Sequence, residues 1–455
     1  MDELFEKSLR TLELPRVLEK LAAQATSEAA KAKARALLPQ TDVEDVKRLQ
    51  QETSAACMLL GLQGSPSFAG AKDVSAALGR AQRGGMLNTR ELLDIAALLR
   101  CARRVKDYRG DESDRDTVLD TMFRALHGGR FLEDRITRAI PEENEIADNA
   151  SAELADIRRH MHAAGARSRQ ILQKIISSPT YSKALQESLI TQRDGRFVVP
   201  VKAECRSEVP GLVHDVSSSG ATVFVEPMGV VQANNELKEL EAKEKKEIER
   251  ILLLLSQEAA ALQEDILWDY DLLVQLDLIF ARGQLSYQMG GTCPDIGTDG
   301  HIFLRRARHP LLDKDKAVPI DVELGGDFDT LVITGPNTGG KTVTLKTIGL
   351  LAAMAQCGLH IPADSGSCVS VFDHVMADIG DEQSIEQSLS TFSSHMVTIV
   401  KILEQAGEGT LILFDELGAG TDPVEGAALA IAIIGEARDR GAKIAATTHY
   451  AELKT

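Results

Sequence analysis

The chain of 455 residues has no two cysteines in a CxxC spacing: Cys57, Cys101, Cys205, Cys293, Cys357 and Cys368 lie far apart. That scatter excludes a disulfide framework and a zinc site of ordinary spacing, and it predicts free thiols in a reducing cytoplasm. The ten histidines show no spacing that would mark a metal centre. No stretch approaches the run of about 18 apolar residues that a membrane-spanning helix needs. The nearest, GLLAAMAQCGLHI, is short and holds Gln356 and His360, so no membrane contact is expected. The opening segment MDELFEKSLRTLELPRVLEK lacks the basic start and unbroken apolar core of a signal peptide, and the expectation is a soluble, cytoplasmic chain. Basic charge is also short: 51 Lys and Arg face 68 Asp and Glu, for a net charge of -17. Coating of nucleic acid by bulk electrostatics is excluded, because counterion release needs clustered cations, and any phosphate contact must be local.

A hydrophobic content of 44% and this length suit about two to four globular domains. Residues 1–140 read as a helical core domain, with loops at GLQGSPSFAG and QRGGMLNTRE, where Asn88 or Thr89 can cap the next helix. On that helix Arg100, Arg103, Arg104, Lys106 and Arg109 form a basic cluster, which reads as a solvated face balanced by nearby acids. From Glu142 to about Ser178, apolar or small residues recur by alternating threes and fours, and a second such run spans about Val231 to Tyr287. The first predicts one helix of roughly 55 Å at about 1.5 Å per residue. Between the two runs, Asp194 and Gly195 separate β-rich segments as a two-residue hairpin would, and GLVHDVSSSGATVFVEP repeats the strand, turn, strand pattern. The layout is an outgoing lever helix (141–187), a β-rich clamp tip (188–229) and a returning lever helix (230–290), the helices antiparallel as in a coiled coil. In the tip Arg193, Arg196, Lys202 and Arg206 are candidate nucleic-acid contacts, offset by Asp194, Glu204, Glu208 and Asp215. From 291 to 455 strands and helices alternate, which predicts an α/β domain with a parallel sheet.

That last domain carries the chemistry. Gly335, Pro336, Asn337, Thr338, Gly339, Gly340, Lys341 and Thr342 match G-x-x-x-x-G-K-[ST], directly after the strand TLVIT and opening a helix. Glycines let backbone N–H groups converge on phosphate, Lys341 reaches the β and γ phosphates of ATP, and Thr342 offers a hydroxyl to Mg²⁺. In LILFDE, Asp415 is the expected Mg²⁺ carboxylate, acting through the cation's water shell from the end of a neighbouring buried strand, and Glu416 the general base for water. His449, ending the strand in ATTHY, is placed to reach a γ phosphate.

Together with RHPLL, SLSTFSSHM, DELGAGTDP and TTHYAEL, in that order, these residues resemble the MutS family of ABC-type ATPases. The resemblance implies a homodimer with two composite sites, in which Ser390 and Thr391 of the STF segment approach the γ phosphate held by the other subunit. FLE, FVE and FDE occur at Phe131, Phe224 and Phe414, but none has the surroundings of a mismatch-reading wedge. The tip instead resembles the clamp of the second MutS group (MutS-two), outside mismatch repair, and the likeness runs from about Leu12 to Thr455. Members of that group continue into a C-terminal Smr nuclease domain. Because this chain stops soon after His449, it is expected to be a fragment, and endonuclease activity attaches to none of its residues. The resemblance implies an ATP-driven clamp on branched DNA, suppressing recombination, or on stalled, collided ribosomes, splitting them through rRNA contacts. The alternatives are a scaffold that binds ATP for structure and a chromosome-type coiled-coil ATPase.

Overall fold

The computed structural model of the chain describes residues 3–109, 116–313, 315–335, 339–380 and 388–449, and for 388–392 the backbone only. The helices in chain order are α1 (Glu3–Thr11), α2 (Leu14–Ala22), α3 (Glu28–Arg35), α4 (Val43–Gln63), α5 (Ser75–Gln82), α6 (Thr89–Arg109), α7 (Asp120–Arg124), α8 (Arg130–Ala139), α9 (Ala152–Ile176), α10 (Met228–Ala261), α11 (Gln263–Met289), α12 (Lys341–Gln356), α13 (Ser388–Gln405) and α14 (Pro423–Asp439). The strands are β1 (Thr191–Arg193), β2 (Arg196–Lys202), β3 (Gly211–Val216), β4 (Thr222–Pro227), β5 (Asp295–Gly297), β6 (Ile302–Ala307), β7 (Ile320–Leu324), β8 (Thr330–Thr334), β9 (Cys368–Ser370), β10 (His374–Asp378), β11 (Thr410–Phe414) and β12 (Lys443–Thr448). Among the described residues the chain is therefore helix-rich with three small sheets.

It divides into two compact units, one of Met1–Lys72, Cys101–Gly128 and Trp268–Thr455, the other of Asp73–Arg100 and Gly129–Leu267. The boundaries expected at 140 and 290 do not coincide with these units, since the first helices share a core with the α/β region. Leu9, Leu12, Val17 and Leu18 are buried in one apolar cluster with Leu345, Leu351 and Leu413. Gly349 marks how closely they approach: a Cβ there would lie 2.3 Å from Leu413 Cδ1 and 2.9 Å from Leu12 Cδ2. In this unit β10, β11, β12 and β8 form an all-parallel sheet in that order, and all five residues of β11 are buried. A strand covered on both faces reads as the unbroken apolar run TLILF rather than an alternation. A second, mixed sheet has the order β5-β9-β6-β7.

In the other unit α9 and α10 pack antiparallel, tied by Arg158 to Glu244 at 2.7 Å and Arg167 to Glu236 at 2.6 Å. The outgoing helix is shorter than its spacing predicts, 25 residues against the run from Glu142 to Ser178. Ser151 accepts from Leu154 N and caps α9, while Asn144 upstream is at φ 70°, so Ile146 and Ala150 precede the helix, Ala150 in a short 3-10 turn of helix over Asp148–Ala150, and only happen to continue the rhythm. The returning run is two helices, α10 of 34 residues and α11 of 27, separated at Leu262, whose φ of -108° and ψ of 18° leave the helix. The antiparallel sheet has the order β1-β2-β4-β3. Asp194 at φ 48° and Gly195 at φ 73° form the primed turn their sequence predicts. At the start of α6, Glu91 N donates to Asn88 Oδ1 at 2.9 Å and Asn88 N to Glu91 Oε2 at 3.0 Å, a reciprocal capping box.

Candidate nucleotide-binding site

The loop after β8 begins at Gly335, whose φ of 147° is closed to most side chains. Pro336, Asn337 and Thr338 lie outside the described residues. Gly339 and Gly340 then lead into α12, with Gly340 at φ 79° as a cap that no side chain satisfies. The first-turn amides of this helix are thus donors for an anion. Lys341 opens the helix and is 4% exposed. Its Nζ donates to Gly335 O at 2.8 Å and lies 3.3 Å from either ring nitrogen of His449. Thr342, half-buried, follows on the first turn.

Asp415 and Glu416 follow β11 directly. The strand beside β8 is β12, so β11 stands one strand further out than the neighbouring position expected for it. The reason is the last crossover, which inserts β12 between two strands made earlier. The carboxyl ends of all three still share one edge, where α/β sheets bind ligands. Asp415 N donates to Asp378 O at 3.0 Å. Glu416 has φ 48°, and its N–H donates to Thr447 Oγ1 at 2.7 Å, while that hydroxyl donates to Asp415 Oδ1. His449 Nε2 is 3.4 Å from Glu416 Oε1, so the imidazole stands between the loop lysine and the expected base. An ammonium only donates and a carboxylate only accepts. The imidazole thus faces a donor on one side and an acceptor on the other.

Beside the carboxylates is a cavity of about 60 Å³ lined by Asp378, His395, Asp415 and Glu416 among others. His395 Nδ1 and Asp378 Oδ2 are 2.9 Å apart. The sequence reading passed over Asp378, His395 and Thr447, although Asp378 ends an apolar strand and Thr447 sits two residues before His449. Ser390 and Thr391 belong to the first turn of α13, and their side chains lie outside the described residues.

The four tip cations all have partners within their own unit. Arg193 pairs with Asp215 at 3.1 Å and its guanidinium lies 4.1 Å from the Phe224 ring centre. Arg196 donates to both oxygens of Glu226 and to Asn235. Lys202 donates to Lys183 O, and Arg206 to Val209 O and Gly211 O. Of the helical cluster, Arg100 pairs with Glu133, Lys106 donates to Leu126 O, and Arg109 pairs with Asp120, which the guanidinium and the Thr117 N–H and hydroxyl hold down at about 2 against the opposing effect of burial.

Residues 331–455 match the family described as MutS domain V. The chain is similar to proteins named Endonuclease MutS2: that of Acetivibrio thermocellus is 49% identical over 452 residues, covering 99% of this chain and 57% of the relative. The Clostridioides difficile protein is 50% identical over 452 residues with the same coverage, and that of Pelotomaculum thermopropionicum 50% over 449. The chain thus spans 57% of the length of the curated relatives it matches.

Proposed function

The chain belongs to the second MutS group of the MutS family, and on that premise we propose that it binds and hydrolyses ATP as one half of a homodimeric clamp. The supporting observation is the convergence of Lys341, His449, Asp415 and Glu416 at the carboxyl edge of one parallel sheet. The residues present fit ATP and Mg²⁺: an uncapped helix N-terminus and a buried ammonium meet phosphate, and Thr342 and Asp415 supply hard oxygens for the cation. Mg²⁺, when bound, neutralises charge on the phosphates. Lys341 exchanges Gly335 O for a phosphate oxygen, Glu416 takes a proton from water, and His449 holds both groups in register through its two nitrogens.

The α9–α10 pair serves as the lever and the β1–β4 sheet as the clamp tip, with residues 291–455 as the ATPase domain. Ser390 and Thr391 complete the site of the opposite subunit. The target is a bulky nucleic-acid assembly, branched DNA or a stalled ribosome, recognised by shape rather than by a basic groove, as the net charge of -17 favours. The nuclease activity in the relatives' name is assigned to no residue here.

Glu416→Gln should bind ATP but lose about 100-fold or more of turnover. Mixing Glu416→Gln with Ser390→Ala chains should restore part of it, and no restoration would sink the composite site. The trapped Glu416→Gln form should then distinguish the targets, by co-sedimentation with ribosomes or by binding four-way junction DNA.

A further inference from the structure

Thr447 is 0% exposed and lies one residue from the end of β12. Backbone pairing between β11 and β12 reaches only Phe414 opposite Ala446. Beyond that rung Thr447 takes over: its Oγ1 donates to Asp415 Oδ1 and accepts from Glu416 N at 2.7 Å, and its carbonyl accepts from Leu417 N at 3.0 Å. Three successive residues leaving β11 are fastened to one residue of β12. The middle one needs it, since Glu416 sits at φ 48°, which residues other than glycine seldom adopt.

We infer that Thr447 is a positioning residue for the two site carboxylates. Its donation commits Oδ1 of Asp415, and the other oxygen would be the one left to meet a cation or its water. Its acceptance from Glu416 N fixes the left-handed turn that aims the Glu416 side chain. Both bonds need a hydroxyl: valine keeps the shape of threonine without it, whereas serine keeps the hydroxyl and lacks only the methyl. The catalytic part of this inference rests on the hydrolysis reading above, and the cation part on Asp415 as the Mg²⁺ carboxylate.

The test compares the intact protein with Thr447→Val and Thr447→Ser. One readout is ATP turnover, and the other is the Mg²⁺ concentration that half-saturates binding of a fluorescent ATP analogue. Thr447→Val should lower kcat about 10- to 100-fold, leave KM for ATP within about threefold, and raise the half-saturating Mg²⁺ concentration by about tenfold. Thr447→Ser should recover to within about threefold of the parent in both. If Thr447→Val does not fold, Thr447→Ala, which sets no methyl against Glu416 N, takes its place with the same expectations. A valine variant that matches the parent in both readouts, or a serine variant as impaired as the valine, overturns the inference. A parent that binds nucleotide without turnover would end the hydrolysis reading, while the Mg²⁺ shift would still decide the role of Thr447. Absence of Mg²⁺-dependent binding in the parent would overturn both.

Discussion

The parallel sheet at the nucleotide loop and the antiparallel sheet of residues 191–227 have four strands each, and they use their polar groups in opposite ways. In the antiparallel sheet, Glu226 is 0% exposed and fully engaged: Arg196 reaches it at 2.8 and 3.0 Å, Asn234 Nδ2 at 2.8 Å and His214 Nε2 at 2.5 Å. Every candidate phosphate ligand there holds a carbonyl, a carboxylate or a ring of its own unit. At the parallel sheet the helix N-terminus has no side-chain cap, and the lysine rests on a carbonyl and an imidazole rather than on a carboxylate. A cation in a sequence is therefore a phosphate ligand only to the extent that its fold leaves it one better partner to gain.

That contrast is breakable. The largest effect is expected from Glu226→Ala, which strands Arg196 and His214 and should destabilise the second unit by about 3–5 kcal/mol in denaturant titration, with ATP turnover unchanged. Glu416→Gln should do the reverse, losing turnover while its melting temperature stays at or above the parent's, because little of the fold depends on that carboxylate. A cost of several degrees would place Glu416 with Glu226 instead.

His360 sharpens the comparison inside the unit that carries the candidate nucleotide site. It is 5% exposed, bonded to Ser286 at 2.8 Å and Ser54 at 3.0 Å, and burial, with Arg282 nearby, pushes its imidazole down to about 4. The unfolded chain protonates this histidine first as pH falls, so stability is intact above about 6.5 and declines toward the folded value. Between pH 7 and 5 the loss should be about 2 kcal/mol, and His360→Gln should flatten that slope in thermal melts. An equal slope in the variant would remove His360 as its source. The smallest effect is expected from Arg193→Ala, whose half-exposed pairing with Asp215 and Phe224 should cost under about 1 kcal/mol. A much larger loss of nucleic-acid binding than of stability would support Arg193 as a contact.

The strands TLVIT, TLILF and KIAATT and the Asp194–Gly195 turn were legible because each is written in a few adjacent residues. The helix bounds were not, since a heptad rhythm continues through Ile146 and Ala150 whether or not a cap such as Ser151 starts the helix later. Strand order was out of reach for the same reason: nothing near Lys443 says that it inserts beside β8. Thr447 stayed hidden because its two partners, Asp415 and Glu416, are brought to it only by that insertion.

The placement of β12 also has a history in it. Thr330 pairs with Ile444 and Thr334 with Thr448, so β8 waits at the sheet edge until the last of the four strands has been synthesised. Contacts so distant in sequence close slowly. The nascent chain therefore carries a glycine loop long before it carries a site, and capacity for nucleotide should appear late in refolding, in one step with protection of the β8 and β12 amides from hydrogen exchange.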